Sequence, residues 1–146
     1  MVTTLVWLTL LLPWLGALAV WLIGDRRPRA QHVTAATTAV AAGVAALLLI
    51  PQASDTAAVI VPFGRPFGAL TFVPDGLGVF LTVVATVIGS LAVIFSTAYM
   101  CGAAQLGRYY ALVLLFIGSM VGLALSGSLL FLFVFWEMTA FCSYAL

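Results

Sequence analysis

Charge is almost missing from this sequence. Its 146 residues hold five Arg, no Lys, three Asp and one Glu. A net charge of +1 cannot neutralise a phosphate backbone, so a nucleic-acid binder is excluded. Disordered chains are rich in charge and poor in apolar residues, the reverse of what is found here. A polar coat is missing too. Apolar residues make up 65% of the chain, against about 45–50% in a soluble domain. A chain this short has no interior large enough to hide them from water.

Cysteine is scarce as well. Cys101 and Cys142 form no CxxC pair and no cluster with the single histidine, which excludes a sequence-encoded metal site. Both read as free thiols packed like small hydrophobes. GxGxxG, P-loop, HExxH and haem-attachment patterns are all absent, so no cofactor is expected in this chain. The N-terminus lacks the basic segment of a signal peptide, and its apolar run is too long for one. It reads as a retained membrane helix.

What is present is a succession of apolar runs: about Thr3–Gly24, Val33–Ile50, Leu77–Met100, Tyr109–Leu125 and Ser128–Leu146. Each is near the ~20 residues that cross ~30 Å of hydrocarbon. In lipid the backbone must satisfy its own polar groups, so these runs are expected to be helices. The expected fold is an all-α membrane protein of about five transmembrane helices in one domain, residues 1–146. Residues 51–76 form an external loop. That loop has β-branched Ala57–Phe63, turn chemistry at Phe63–Gly68 and a second strand candidate at Ala69–Val73, which predicts a small hairpin. Arg26, Arg27, Arg29 and Arg108 fall on one side and only Arg65 on the other. By the positive-inside rule the N-terminus lies outside a multi-pass protein of the plasma (inner) membrane. The chain ends in its fifth run with no charged residue, cap or interfacial anchor after Glu137 except Tyr144, and so is expected to be an N-terminal fragment or a split subunit.

Glu137 is the residue with chemistry to offer. It lies about nine residues, roughly 13 Å, into the fifth helix, near the bilayer midplane. An acid there costs on the order of 3 kcal/mol to insert. Its same-face neighbours Phe133, Val134, Ala140 and Phe141 offer neither hydrogen bond nor countercharge. It is therefore either protonated or paired with a cation from another chain or segment, because this chain has no Lys and its Arg residues are read as loop residues. It reads as a relay point for protons or cations; the alternative is a neutral side chain bonded to a backbone carbonyl or to Ser119. Asp75 reads as a helix N-cap, with ion uptake as the sharper alternative. His32 reads as a solvated interfacial histidine, and Arg108, Tyr109 and Tyr110 as interface anchors. Trp7, Trp14 and Trp21 share a face that suits a lipid belt or packing surface. Pro13 should kink or loosen the first helix. Gly118 and Gly122 form a GxxxG spacing suited to close helix approach.

Four motifs carry a resemblance: Asp75-Gly76-Leu77-Gly78, Arg108-Tyr109-Tyr110-Ala111, Leu115-Phe116-Ile117-Gly118-Ser119-Met120, and Phe135-Trp136-Glu137-Met138-Thr139-Ala140-Phe141-Cys142-Ser143-Tyr144-Ala145-Leu146. Together they resemble the start of the antiporter-like subunits shared by respiratory complex I, membrane-bound hydrogenases and Mrp-type cation/proton antiporters. The likeness leans toward the L-type subunit of complex I and the A-type subunit of Mrp antiporters. It implies a fold of about fourteen helices with two inverted repeats, of which this chain supplies the beginning. It also implies that Glu137 answers a lysine on a later helix; Asp75, Ser119 and Tyr144 are read beside it as secondary site candidates. The implied function is a non-catalytic, proton-translocating part of a complex I-type NADH:quinone oxidoreductase or related redox-driven pump. The alternative is an Mrp-type sodium/proton antiporter or inorganic-carbon transporter subunit without redox chemistry, and a third reading is a helical scaffold. Expected partners are membrane lipid, other membrane subunits, and protons or sodium ions.

Overall fold

Apolar runs of this length close their hydrogen bonds within themselves, and in the computed structural model they do so as five α-helices. The structure describes residues 2–24, 27–53, 58–64, 68–100 and 105–146. Arg26, Arg65, Cys101 and the centre of the turn in the external loop lie outside the described residues, and so do the sequence expectations for them.

The helices are α1 (Val2–Ile23), α2 (Pro28–Leu49), α3 (Gly76–Tyr99), α4 (Leu106–Leu125) and α5 (Leu129–Ala145). Four of them are long and apolar enough to cross a membrane; α5, with 17 residues, is shorter than the others. The chain is thus a mostly helical membrane protein with a two-stranded hairpin between α2 and α3.

Two helices begin earlier than their apolar runs. Proline is well suited to the first helical position, where its missing N–H is not needed. Pro28 takes that position, and Arg29-Ala30-Gln31-His32 become the first turn of α2. Likewise α4 starts at Leu106, after Gln105 in a left-handed conformation with φ 61°. Arg29 and Arg108 are consequently helical and not loop residues. At its other end α2 tightens into a 3₁₀ turn, Ile50–Gln52, where Pro51 cannot continue the α-helix. Pro13 is buried within α1, which runs unbroken through it.

Antiparallel strands β1 (Val59–Gly64) and β2 (Gly68–Phe72) pair Val59 with Phe72 and Ile60 with Thr71. Side chains alternate in a strand, so Val59 and Phe72 point inward and are buried while Ile60 faces out. The turn between α4 and α5 docks on β2: the Gly127 N–H donates to the Thr71 carbonyl at 2.8 Å, and Val73 N–H to the Leu125 carbonyl at 2.8 Å.

Helices α1, α2, α3 and α4 pack in a ring, each against the next and α4 against α1, while α5 lies outside it, chiefly against α4. Two apolar clusters fill the bundle. One, near the hairpin, gathers Leu5, Leu10, Leu49, Phe72, Val121 and Phe135. The other, at the opposite end, gathers Val20, Ala35, Val93, Leu106, Tyr110 and Ile117. Arg27, Arg29 and Arg108 lie toward that opposite end, at the starts of α2 and α4.

The GxxxG glycines do not serve one close helix contact. A Cβ on Gly118 would collide with the Trp14 indole of α1, and one on Gly122 would lie 2.5 Å from the Phe135 ring of α5. They are sockets for two rings from two different helices. The tryptophan face is divided accordingly. Trp7 packs edge-on to Phe72 with centroids 5.8 Å apart, Trp14 enters its socket, and Trp21 is exposed.

Candidate functional site

Helix α5 is attached by few side chains. Only Phe135 and Cys142 along it are buried, and their seven-residue spacing puts them on one face. Glu137 lies eight residues after Leu129, the first residue of α5, on the outward face. It lines a shallow groove of about 330 Å³ with Leu115 of α4 and Phe133, Val134, Met138 and Phe141 of its own helix. Every other member of that lining is apolar. Among the described residues Glu137 has no hydrogen bond and no ion pair.

The secondary candidates are not gathered around it. Ser119 is fully buried in α4, and its hydroxyl donates to the Leu115 carbonyl of the same helix at 2.8 Å. That bond satisfies the hydroxyl internally, so the alternative pairing with Glu137 is not made. Tyr144 shares the outward face of α5 with Glu137, two turns further on, and is 92% exposed. Asp75 stands at the hairpin end, where its Oδ1 accepts the Gly78 N–H at 2.7 Å. The capping reading of Asp75 is therefore observed directly, and α3 begins at that cap. The expectation of a packed free thiol is met at Cys142, which is buried and unbonded.

A polar cluster at the basic end corrects two sequence expectations. His32 is half-buried, with its Nδ1 2.7 Å from the Tyr110 hydroxyl and the two rings edge-on at 5.4 Å. Tyr110 is fully buried, and Tyr109 shares a hydrogen bond of 2.8 Å with Ser96 of α3. These tyrosines join helices, and His32 is not simply solvated. The reason is the early start of α2 and α4, which draws His32 and Tyr110 into the bundle. No sequence signal links positions 78 apart. Arg108 remains exposed, donating to the Ala145 carbonyl at the end of α5 at 3.2 Å.

Among the described residues, no group of three or more His, Cys, Asp or Glu side chains comes together to hold a metal ion. The chemistry available is that of one carboxyl group in an apolar groove, able to accept a proton or to answer a cation.

Comparison with known proteins covers part of the chain. The sequence model of the family described as NADH-Ubiquinone oxidoreductase (complex I), chain 5 N-terminus, matches residues 69–110. That span runs from β2 through Asp75 and α3 to the tyrosine pair of α4. The A1 subunit of a Na(+)/H(+) antiporter from Staphylococcus haemolyticus is 44% identical over 72 residues, covering 49% of this chain and 9% of the relative. The A1 subunit of the Na(+)/H(+) antiporter from Staphylococcus aureus strain JH9 is 43% identical over 72 residues, with the same coverage. This chain thus spans about a tenth of the length of those relatives. On these matches and this architecture, the chain is a membrane protein similar to the N-terminal portion of antiporter-like subunits.

Proposed function

We propose that this chain is the N-terminal part of an ion-translocating subunit of a sodium/proton antiporter in the plasma membrane, with its N-terminus outside. In this reading Glu137 answers a cationic side chain on a helix that packs on the open face of α5. The observation that carries the reading is the position of that carboxylate, in an otherwise apolar groove on the outward face of α5 and without a partner among the described residues. The antiporter relatives at 43–44% identity support the antiporter form. Gathering of Arg27, Arg29 and Arg108 toward one end supports that end as cytoplasmic.

A second reading is a subunit of a redox-driven, complex I-type pump, with electron transfer carried by other subunits. The match to the complex I chain 5 family favours it. Everted membrane vesicles separate the two. With respiration poised by a separate donor, added sodium collapses the pH gradient if the chain serves an antiporter. If it serves a redox pump, the gradient forms on NADH addition and sodium has no effect. In either case Glu137→Gln removes the flux attributable to this chain while its membrane level stays unchanged. Full flux in that variant overturns both readings.

A further inference from the structure

The outward direction of Glu137 needs a cause, because α5 touches the bundle along one narrow seam. That seam has two buried side chains, Phe135 and Cys142. At 3.6 residues per turn, Glu137 lies about 140–160° around the helix from both. A rotation of α5 by one residue, about 100°, would swing the carboxyl off the open face and toward α4. Whatever fixes the rotation of α5 therefore fixes where the carboxyl faces.

Phe135 has the geometry to do this. Its ring lies against Gly122 of α4, where an added Cβ would come within 2.5–2.7 Å of three ring atoms. Phe72 of the hairpin lies on one side with centroids 6.2 Å apart, and Trp14 of α1 on another at 6.2 Å. Phe135 is 5% exposed and Phe72 not at all. Four elements, α1, β2, α4 and α5, thus meet around one ring, and a planar ring between walls resists rotation in a way a flexible chain does not. Cys142, small and apolar, adds a contact two turns away without a directional lock.

We infer that Phe135, seated over Gly122 between Phe72 and Trp14, is a positioning residue that sets the rotation of α5 and holds Glu137 toward its ion-pairing partner. The inference rests on the proposed role of Glu137. It also gives the hairpin a part in that role, since Phe72 is one wall of the socket.

The test uses the full-length protein in everted vesicles, with ion-dependent proton flux measured against pH for wild type, Phe135→Leu, Gly122→Ala and the double variant. If Phe135 positions Glu137, each single variant displaces the pH of half-maximal flux by about one unit, a tenfold change in proton affinity at the pair. The double variant still lacks the ring, so it keeps the shift, and the two single shifts do not add. If each variant lowers flux only in proportion to its membrane level, with an unmoved profile, the inference fails even though Glu137→Gln abolishes flux. If Glu137→Gln leaves flux intact, the proposed role of Glu137 fails first. Phe135→Leu keeps an apolar side chain of adequate size, so a folded variant remains available should Gly122→Ala not insert.

Discussion

Breaking the contact between His32 and Tyr110 should cost unequal amounts depending on which partner is removed. Their hydrogen bond is 2.7 Å long and joins α2 to α4, with the rings edge-on. Tyr110 is fully buried, whereas His32 is half-buried and has water within reach. His32→Ala leaves the Tyr110 hydroxyl orphaned in the interior, a loss of about 1–3 kcal/mol. It also forfeits the ring contact, worth roughly 0.5–1.5 kcal/mol. A gain of about 0.6 kcal/mol from the better helix former offsets part of this. The net expectation is a loss of about 1–4 kcal/mol. Tyr110→Phe keeps the ring, and the His32 nitrogen can turn to solvent, so only the net bond of about 1 kcal/mol goes. The double variant has no orphaned hydroxyl and should cost less than the sum of the singles by about 1 kcal/mol. Equilibrium unfolding of the purified protein in mixed micelles by SDS titration, followed by tryptophan fluorescence, measures all four corners of the cycle. A Tyr110→Phe cost equal to or greater than that of His32→Ala would refute the burial argument. Additivity within about 0.3 kcal/mol would show that the two side chains are not coupled.

The remaining predictions concern the α1–α4 socket and the start of α3. Gly118→Ala drives a methyl into the Trp14 indole and should destabilise the bundle by about 1–3 kcal/mol in the same titration, with Trp14→Leu recovering part of the loss. Asp75→Ala removes the cap on Gly78 and should cost about 0.5–2 kcal/mol. Asp75→Asn caps as well as Asp, so it should preserve both stability and ion flux. Normal stability with lost flux in Asp75→Asn would assign the charge, and not the cap, to transport.

The helices are legible in the sequence because their cause is local. A run of about twenty apolar residues has few alternatives in lipid, and Pro74-Asp75-Gly76 announces a start with its cap. The hairpin is legible for the same reason, through β-branched residues flanking turn chemistry. What stays hidden depends on which helix faces which. Gly118 and Gly122 share a spacing, yet each accepts a ring from a different neighbour. Tyr110 has the local context of an interfacial anchor, because nothing nearby says that α4 begins three residues before its apolar run and turns that ring inward. Pro28 is the one sign that α2 starts early, and periodicity alone ignores it. The position of Glu137 along α5 follows from counting, but its direction does not. The direction depends on Phe135, Gly122, Phe72 and Trp14, which lie on four elements.

The direction matters because of the energies involved. A carboxyl group at the centre of an apolar helix costs about 3 kcal/mol to place in the membrane. Turned toward α4, Glu137 would meet Leu115 and a Ser119 hydroxyl whose proton is already given to that residue's carbonyl, so an ionised carboxylate would find no donor there. Turned outward, it meets whatever packs on α5. A single cation at ~4 Å, with an effective dielectric constant near 20, contributes about 4 kcal/mol. That offsets the carboxyl's own insertion cost but not the sum for both charges, so the pair is held weakly and is sensitive to its separation. An attraction of about 4 kcal/mol shifts the partner's protonation equilibrium by about a thousandfold when it is made or broken. A weakly held pair is suited to switching, and a rigid ring that fixes the helix's rotation is suited to keeping it there.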